Sequence, residues 1–166
     1  MKTVYTIGYE GTDIERFVKT LAAVGIDTVA DVRAVPLSRK KGFSKNYLRE
    51  HLESAGIKYL AMQELGDPKE GRDAAKAGDY DRFRAIYSGH VDQPESAAAI
   101  LKLAAASEEQ AVCLLCFERD PKTCHRMIVG ERLGAFGYQM MHLYGDDPGR
   151  YVRNQSKLPG RPTSSA

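Results

Sequence analysis

Residues 116–126, Cys-Phe-Glu-Arg-Asp-Pro-Lys-Thr-Cys-His-Arg, bring two thiols, a carboxylate, an imidazole and a guanidinium into one short stretch. A thiolate, not a thiol, is the nucleophile. Its formation is favoured where a helix N-terminus and a neighbouring Arg or His⁺ lower the cysteine pKa from about 8.5 toward roughly 3.5–7.5. Cys124, next to His125 and Arg126 at the expected start of a helix, fits that description. Cys116 is the second candidate thiol, at the end of an apolar run. Glu118 is positioned to orient His125 or to act as a base, and Arg126 to hold an anion.

Three other readings compete for the same residues. A metal site would use Cys116, Cys124 and His125, but structural zinc sites usually take four ligands with shorter spacing between their cysteines. His51, His90 or His142 would have to complete it, and nothing in the sequence selects one. Cys113 to Arg119 has the Cys-x5-Arg count of an oxyanion-binding loop. The intervening Leu-Leu-Cys-Phe-Glu holds no glycine and continues a strand, so its amides would not curl around a phosphate. A plain reading makes Cys113 a buried apolar residue and Cys124-His125-Arg126 a solvated helix start.

The elements that must position these groups follow from hydrophobic period and turn residues. Residues 3–8 read as a strand, 13–24 as a helix stopped by Gly25, and 28–32 as a second strand. Ser44 caps a helix through Ser54, and 57–62 read as a third strand. The polar stretch 64–78, with three glycines and a proline, reads as a long loop or lid. Helices are expected over 79–88 and 94–106, then a fully apolar strand over 111–116, a helix over 124–135 and a last strand over 138–143. Strands alternating with helices predict an α/β fold in one domain: a mainly parallel sheet of about five strands, open, with helices on both faces. That domain spans 1–145, and 146–166 is expected to be an irregular, flexible C-terminal tail.

In such sheets ligands collect at the carboxyl ends of the strands. Cys116 lies at one such end, Arg33 at another and Tyr9 at a third. Arg33 offers a planar fork for phosphate or carboxylate. The loop that follows carries Ser38, Arg39, Lys40 and Lys41, within a stretch from Arg33 to Arg49 that has no Asp or Glu. Arg33, Arg126, Ser38, Tyr9, Arg39 and Lys40 are therefore the candidate substrate-binding residues.

The chain has 166 residues, 43% hydrophobic and 28% charged, within the ordinary range of globular proteins. A net charge of +2 confines any electrostatic function to local clusters. The beginning of the sequence does not read as a signal peptide and no stretch approaches a membrane span. Three cysteines cannot all pair within the chain. A cytoplasmic location with reduced thiols is expected.

Thr6-Ile7-Gly8-Tyr9, Asp31-Val32-Arg33 with Pro36 and Ser38, Tyr59, Glu64-Leu65-Gly66, and the string from Leu115 to Arg126 together resemble the domain-of-unknown-function family 488. The resemblance extends over about residues 3–145 and implies an α/β architecture without implying a reaction. It marks Gly8, Tyr9, Asp31, Arg33, Ser38, Cys116, Glu118, Pro121, Cys124, His125 and Arg126. Tyr9-Glu10 departs from the His-Ser that the family often shows.

The leading expectation is a thiol-dependent hydrolase or transferase acting on a small phosphate-bearing or nucleotide-like molecule, with no cofactor. The alternatives are a non-catalytic nucleic-acid or nucleotide-binding module using Arg39, Lys40 and Lys41, and a metal-binding protein using Cys116, Cys124 and His125.

Overall fold

The computed structural model describes residues 2–159. Five strands form one parallel sheet: β1 (Lys2–Gly8), β2 (Thr28–Asp31), β3 (Lys58–Ala61), β4 (Val112–Cys116) and β5 (Tyr138–Tyr144), in the order β3-β2-β4-β1-β5. Among the described residues seven α-helices flank it: α1 (Ile14–Val24), α2 (Lys45–Ser54), α3 (Lys69–Lys76), α4 (Tyr80–Val91), α5 (Pro94–Glu109), α6 (Arg126–Gly134) and α7 (Pro148–Arg153). The sheet is open and helices cover both faces, as the alternating pattern predicts.

The period-two geometry of the strands divides the core. Val112, Leu114 and Cys116 pack with Tyr87 of α4, Leu103 of α5 and Val129 of α6. Cys113 and Leu115 face the other way, toward Phe17 and Leu21 of α1 and Leu52 of α2. Cys113 and Cys116 thus lie on opposite faces of one strand, and Cys113 is core, as its apolar setting suggests.

Local sequence explains the element ends. The Asp13 carboxylate accepts from the Arg16 amide at 2.8 Å and caps α1. Gly25 closes the helix at φ 88°, a left-handed conformation that glycine adopts without penalty.

Three expectations are corrected. The stretch 64–78 contains helix α3 in place of a loop, entered through Pro68 with Glu70 in its first turn and Lys76 in its last. The helix expected from Cys124 begins at Arg126, because residues 121–123 form a separate 3-10 turn and Cys124 is extended. Residues 148–153, expected to be irregular, form α7, and the buried Tyr151 hydroxyl accepts from the Tyr144 amide at 2.8 Å. The tail expectation for residues 160–166 falls outside the described residues.

β1 and β4 are neighbours whose outgoing connections pass to opposite faces, α1 on one and α6 on the other. Such a reversal opens a crevice at the carboxyl edge. The crevice is drawn tight at Gly8. Beyond it the Tyr9 amide donates to the Cys116 carbonyl and the Glu10 amide to that of Phe117. A Cβ on Gly8 would lie 1.8 Å from the Glu118 carbonyl oxygen. Gly8→Ala should therefore destabilise the fold by about 1–3 kcal/mol or more. Gly89→Ala, in α4 with nothing within 4 Å of the added carbon, should stabilise it by up to ~1 kcal/mol. Urea denaturation of both variants measures the contrast.

Candidate functional site

The loops after β1, β2 and β4, together with Asp67 and helices α3 and α4, line a partly open cavity of about 360 Å³. Cys116, Cys124 and His125 lie on its buried side. The His125 Nε2 lies 2.6 Å from the Val32 carbonyl at the end of β2. A carbonyl only accepts, so Nε2 carries a proton there. The rest of the ring faces the two thiols: Nδ1 lies 3.8 Å from both Cys116 Sγ and Cys124 Sγ, and Nε2 lies 3.6 Å from Cys116 Sγ. The Tyr87 ring packs on the imidazole with centroids 5.1 Å apart. Among the described residues these three form the one group of His, Cys, Asp or Glu compact enough to hold a metal ion, their ligand atoms all within 4.8 Å of one another.

Asp67 and Arg72 face the same cavity from the α3 side. Asp67 is 5% exposed, and neither its Oδ1 nor the Arg72 Nε has a hydrogen-bond partner among the described residues. Gly71 makes room for the carboxylate: a Cβ there would lie 2.0 Å from Asp67 Oδ1. Buried polar atoms are nearly always paired, and these two are exceptions together with atoms of Tyr5, Ser107 and Arg126 among the described residues.

The family model described as "Domain of unknown function DUF488" matches residues 13–133. The chain belongs to this family. Comparison with curated proteins and with solved structures gives no match. The DUF488 match takes in Asp31-Val32-Arg33 and Cys116 through Arg126, and it begins after Tyr9.

Of the residues singled out in this DUF488 chain, Tyr9, Arg33, Cys116, Glu118, Cys124 and His125 line the cavity, while Arg126, Ser38, Arg39 and Lys40 are not part of its wall. Arg126 is fully buried, and its guanidinium donates to the carbonyls of Glu118 at 2.6 Å and Arg119 at 3.1 Å. It clamps the loop that carries Glu118. The Lys40 ammonium bonds the carbonyls of Tyr9 and Thr12. The Ser38 carbonyl and amide both bond the Ser44 hydroxyl, and the Ser38 hydroxyl accepts from the Lys40 amide. Arg33 lines the cavity but is paired through two bonds of 2.8 and 2.9 Å with Asp31, itself 1% exposed, and also donates to the Phe43 carbonyl. Among the described residues the cations left in the lining without such pairing are Arg72 and Lys76, which lie in the segment expected to be a loop.

The electrostatics correct a further expectation. Burial pushes the Cys124 thiol well above the ordinary cysteine value, and Cys116 beside it adds to the rise. The acidified Cys124 expected at a helix start is absent because the residue precedes the helix and is buried. Burial also works to lower His125, but Cys124, the Val32 carbonyl and Asp67 outweigh it and hold the imidazole up at about 9. At neutral pH Cys124 and the ring both hold their protons, and Cys116 is the other thiol beside that imidazolium.

Burial raises the Asp67 carboxyl to about 6, with Glu118 adding to the rise and His125 and Arg72 opposing it. The folded chain therefore keeps this proton to a higher pH than the unfolded chain, whose aspartates titrate near ~3.9. Ionisation of Asp67 between about pH 4 and 6 costs stability, and the cost is complete above that window. Asp67→Asn should be more stable than the native chain at pH 7–8 by about 1–3 kcal/mol, with the advantage vanishing below about pH 4. Urea midpoints measured across pH test the sign.

Proposed function

We propose that the protein is an enzyme acting on a small phosphate-bearing or nucleotide-like molecule held in the cavity at the carboxyl edge of the sheet. The observation that carries this reading is one partly open cavity lined by a Cys-His cluster, by the buried Asp67 and by Arg72, whose Oδ1 and Nε have no hydrogen-bond partner among the described residues. A volume of about 360 Å³ suits a ligand of that size. The rings of Tyr9, Tyr80, Phe83 and Phe117 in its lining suit a flat base, and Arg72 and Lys76 suit its phosphate.

In this reading the reaction is thiol-dependent hydrolysis or group transfer. Cys116 is the reactive thiol, His125 holds and returns a proton beside it, and Glu118 and Asp67 are the acids that exchange protons with the substrate. Arg33 and Arg126 support the site by holding the loops on either side of it. The anion-binding role passes to Arg72 and Lys76, because the guanidinium of Arg126 is bonded to main-chain carbonyls and that of Arg33 to Asp31.

Titration with adenosine monophosphate and with inorganic phosphate tests the reading. Arg72→Ala should weaken binding of the nucleotide about 10–100-fold, the equivalent of one charged hydrogen bond, while Arg39→Ala and Lys41→Ala leave it unchanged. Cys116→Ser should abolish turnover of any phosphate compound that proves to be a substrate, with nucleotide affinity kept within about threefold. Binding that ignores Arg72 but falls with Arg39→Ala and Lys41→Ala would replace this reading with a surface nucleic-acid module.

A further inference from the structure

We infer that Cys116 Sγ, Cys124 Sγ and His125 Nδ1 form an open three-ligand site for zinc or a cation of similar softness, its fourth position facing the cavity. The inference rests on the active-site reading in giving that fourth position to the proposed substrate cavity; an ion bound there takes up Cys116 and His125 as ligands, so the thiol chemistry of that reading belongs to the metal-free protein. The ligand geometry stands without it.

Tetrahedral zinc with Zn–S of about 2.3 Å and Zn–N of about 2.0 Å sets ligand atoms about 3.5 Å apart for S and N and about 3.8 Å apart for two sulfurs. Both sulfurs already lie 3.8 Å from Nδ1, and all three atoms lie within 4.8 Å of one another. Closing on an ion needs shifts of a few tenths of an ångström in the S–N pairs and of up to about 1 Å in the S–S pair, with a turn of the Cys116 side chain, whose Sγ lies 3.6 Å from Nε2 and 3.8 Å from Nδ1. Two sulfurs and an imidazole nitrogen are donors that favour zinc over the hard cations.

The surroundings fit the same role. Metal-binding imidazoles regularly donate their other N–H to a carbonyl or carboxylate, which fixes the ring, and the Val32 carbonyl takes Nε2 at 2.6 Å. The Arg126 amide points at Cys124 Sγ from 3.5 Å, a favourable partner for a thiolate. Asp67 supplies a carboxylate to the lining of the same cavity.

Among the described residues no fourth protein ligand joins the three, which argues against a closed structural site. That lack is what an open site requires, since zinc with three protein ligands leaves one position for water or substrate. The other histidines are engaged or remote: His142 Nδ1 lies 2.6 Å from the Thr6 hydroxyl, His90 Nε2 lies 3.0 Å from the Glu64 carbonyl, and His51 is on α2 across the sheet. Binding releases to solvent whatever protons the two sulfurs and Nδ1 carry.

Titration of the full chain with Co²⁺ under reducing conditions tests the site. One equivalent should bind, with a thiolate-to-cobalt charge-transfer band and tetrahedral visible bands that zinc then removes. Cys116→Ser, Cys124→Ser and His125→Ala should each weaken binding at least about tenfold while far-ultraviolet circular dichroism confirms a folded chain. Cys113→Ser, on the opposite face of β4, should bind like the native protein. A folded native chain that shows no thiolate-to-cobalt band, or a band that depends on Cys113 as much as on Cys116, overturns the inference. The nucleotide titration run on metal-free and cobalt-loaded protein separates the two readings. Nucleotide binding without any cobalt site removes the metal alone, and a cobalt site without nucleotide binding removes the substrate alone.

Discussion

The hydrogen bond from His125 Nε2 to the Val32 carbonyl joins the end of β2 to the segment between β4 and α6, and the geometry of the site depends on it. It ties residues far apart in sequence across the central pair of strands. It also decides which ring nitrogen remains for Cys116 and Cys124. Without that carbonyl the imidazole could rotate, and the three potential ligand or reacting atoms would lose their common focus. The bond in turn requires β2 and β4 to be adjacent and parallel, with Asp31 opposite Leu115, so sheet register and site chemistry are one constraint.

Around this bond the protein uses its charged groups as structure before it offers any to a ligand. Arg126 holds the carbonyls of Glu118 and Arg119, so the loop after Cys116 keeps its path. Asp31 and Arg33 form a buried pair, and the Tyr59 hydroxyl donates to the same carboxylate at 2.6 Å. Removing one partner from such a pair typically costs about 3–5 kcal/mol, because the other charge is left buried alone. Asp67 and Arg72 are arranged differently. Both line the cavity, and each keeps one buried polar atom without a partner among the described residues, at a cost in stability.

Much of the fold was legible in the sequence, because its strands are apolar and its helices carry clear stops such as Gly25. The convergence of Tyr9, Arg33, Cys116 and His125 at one edge also follows from strand ends in a parallel sheet. Helix α3 was not legible. It is eight residues long, has Gly71 in its middle and follows a proline, so local signals favour a loop, and its packing against α4 supplies what propensity lacks. Asp67, Arg72 and Lys76 were missed with it. The roles of Arg126 and Lys40 were hidden for another reason: a cation that binds main-chain carbonyls has the same sequence signature as one that binds an anion. The position of Cys124 turned on the 3-10 turn at Pro121–Thr123, which delays the helix by two residues and buries the thiol.

The ¹⁵N resonances of the His125 ring, followed in histidine-labelled protein at neutral pH while one equivalent of zinc is added, test the central claim most directly. The Nε2 proton should persist through the titration, held by Val32, while Nδ1 gives up its proton and takes the shift of a metal-bound nitrogen. Retention of both ring protons with zinc in excess, or loss of the Nε2 proton in place of the Nδ1 proton, would contradict the account.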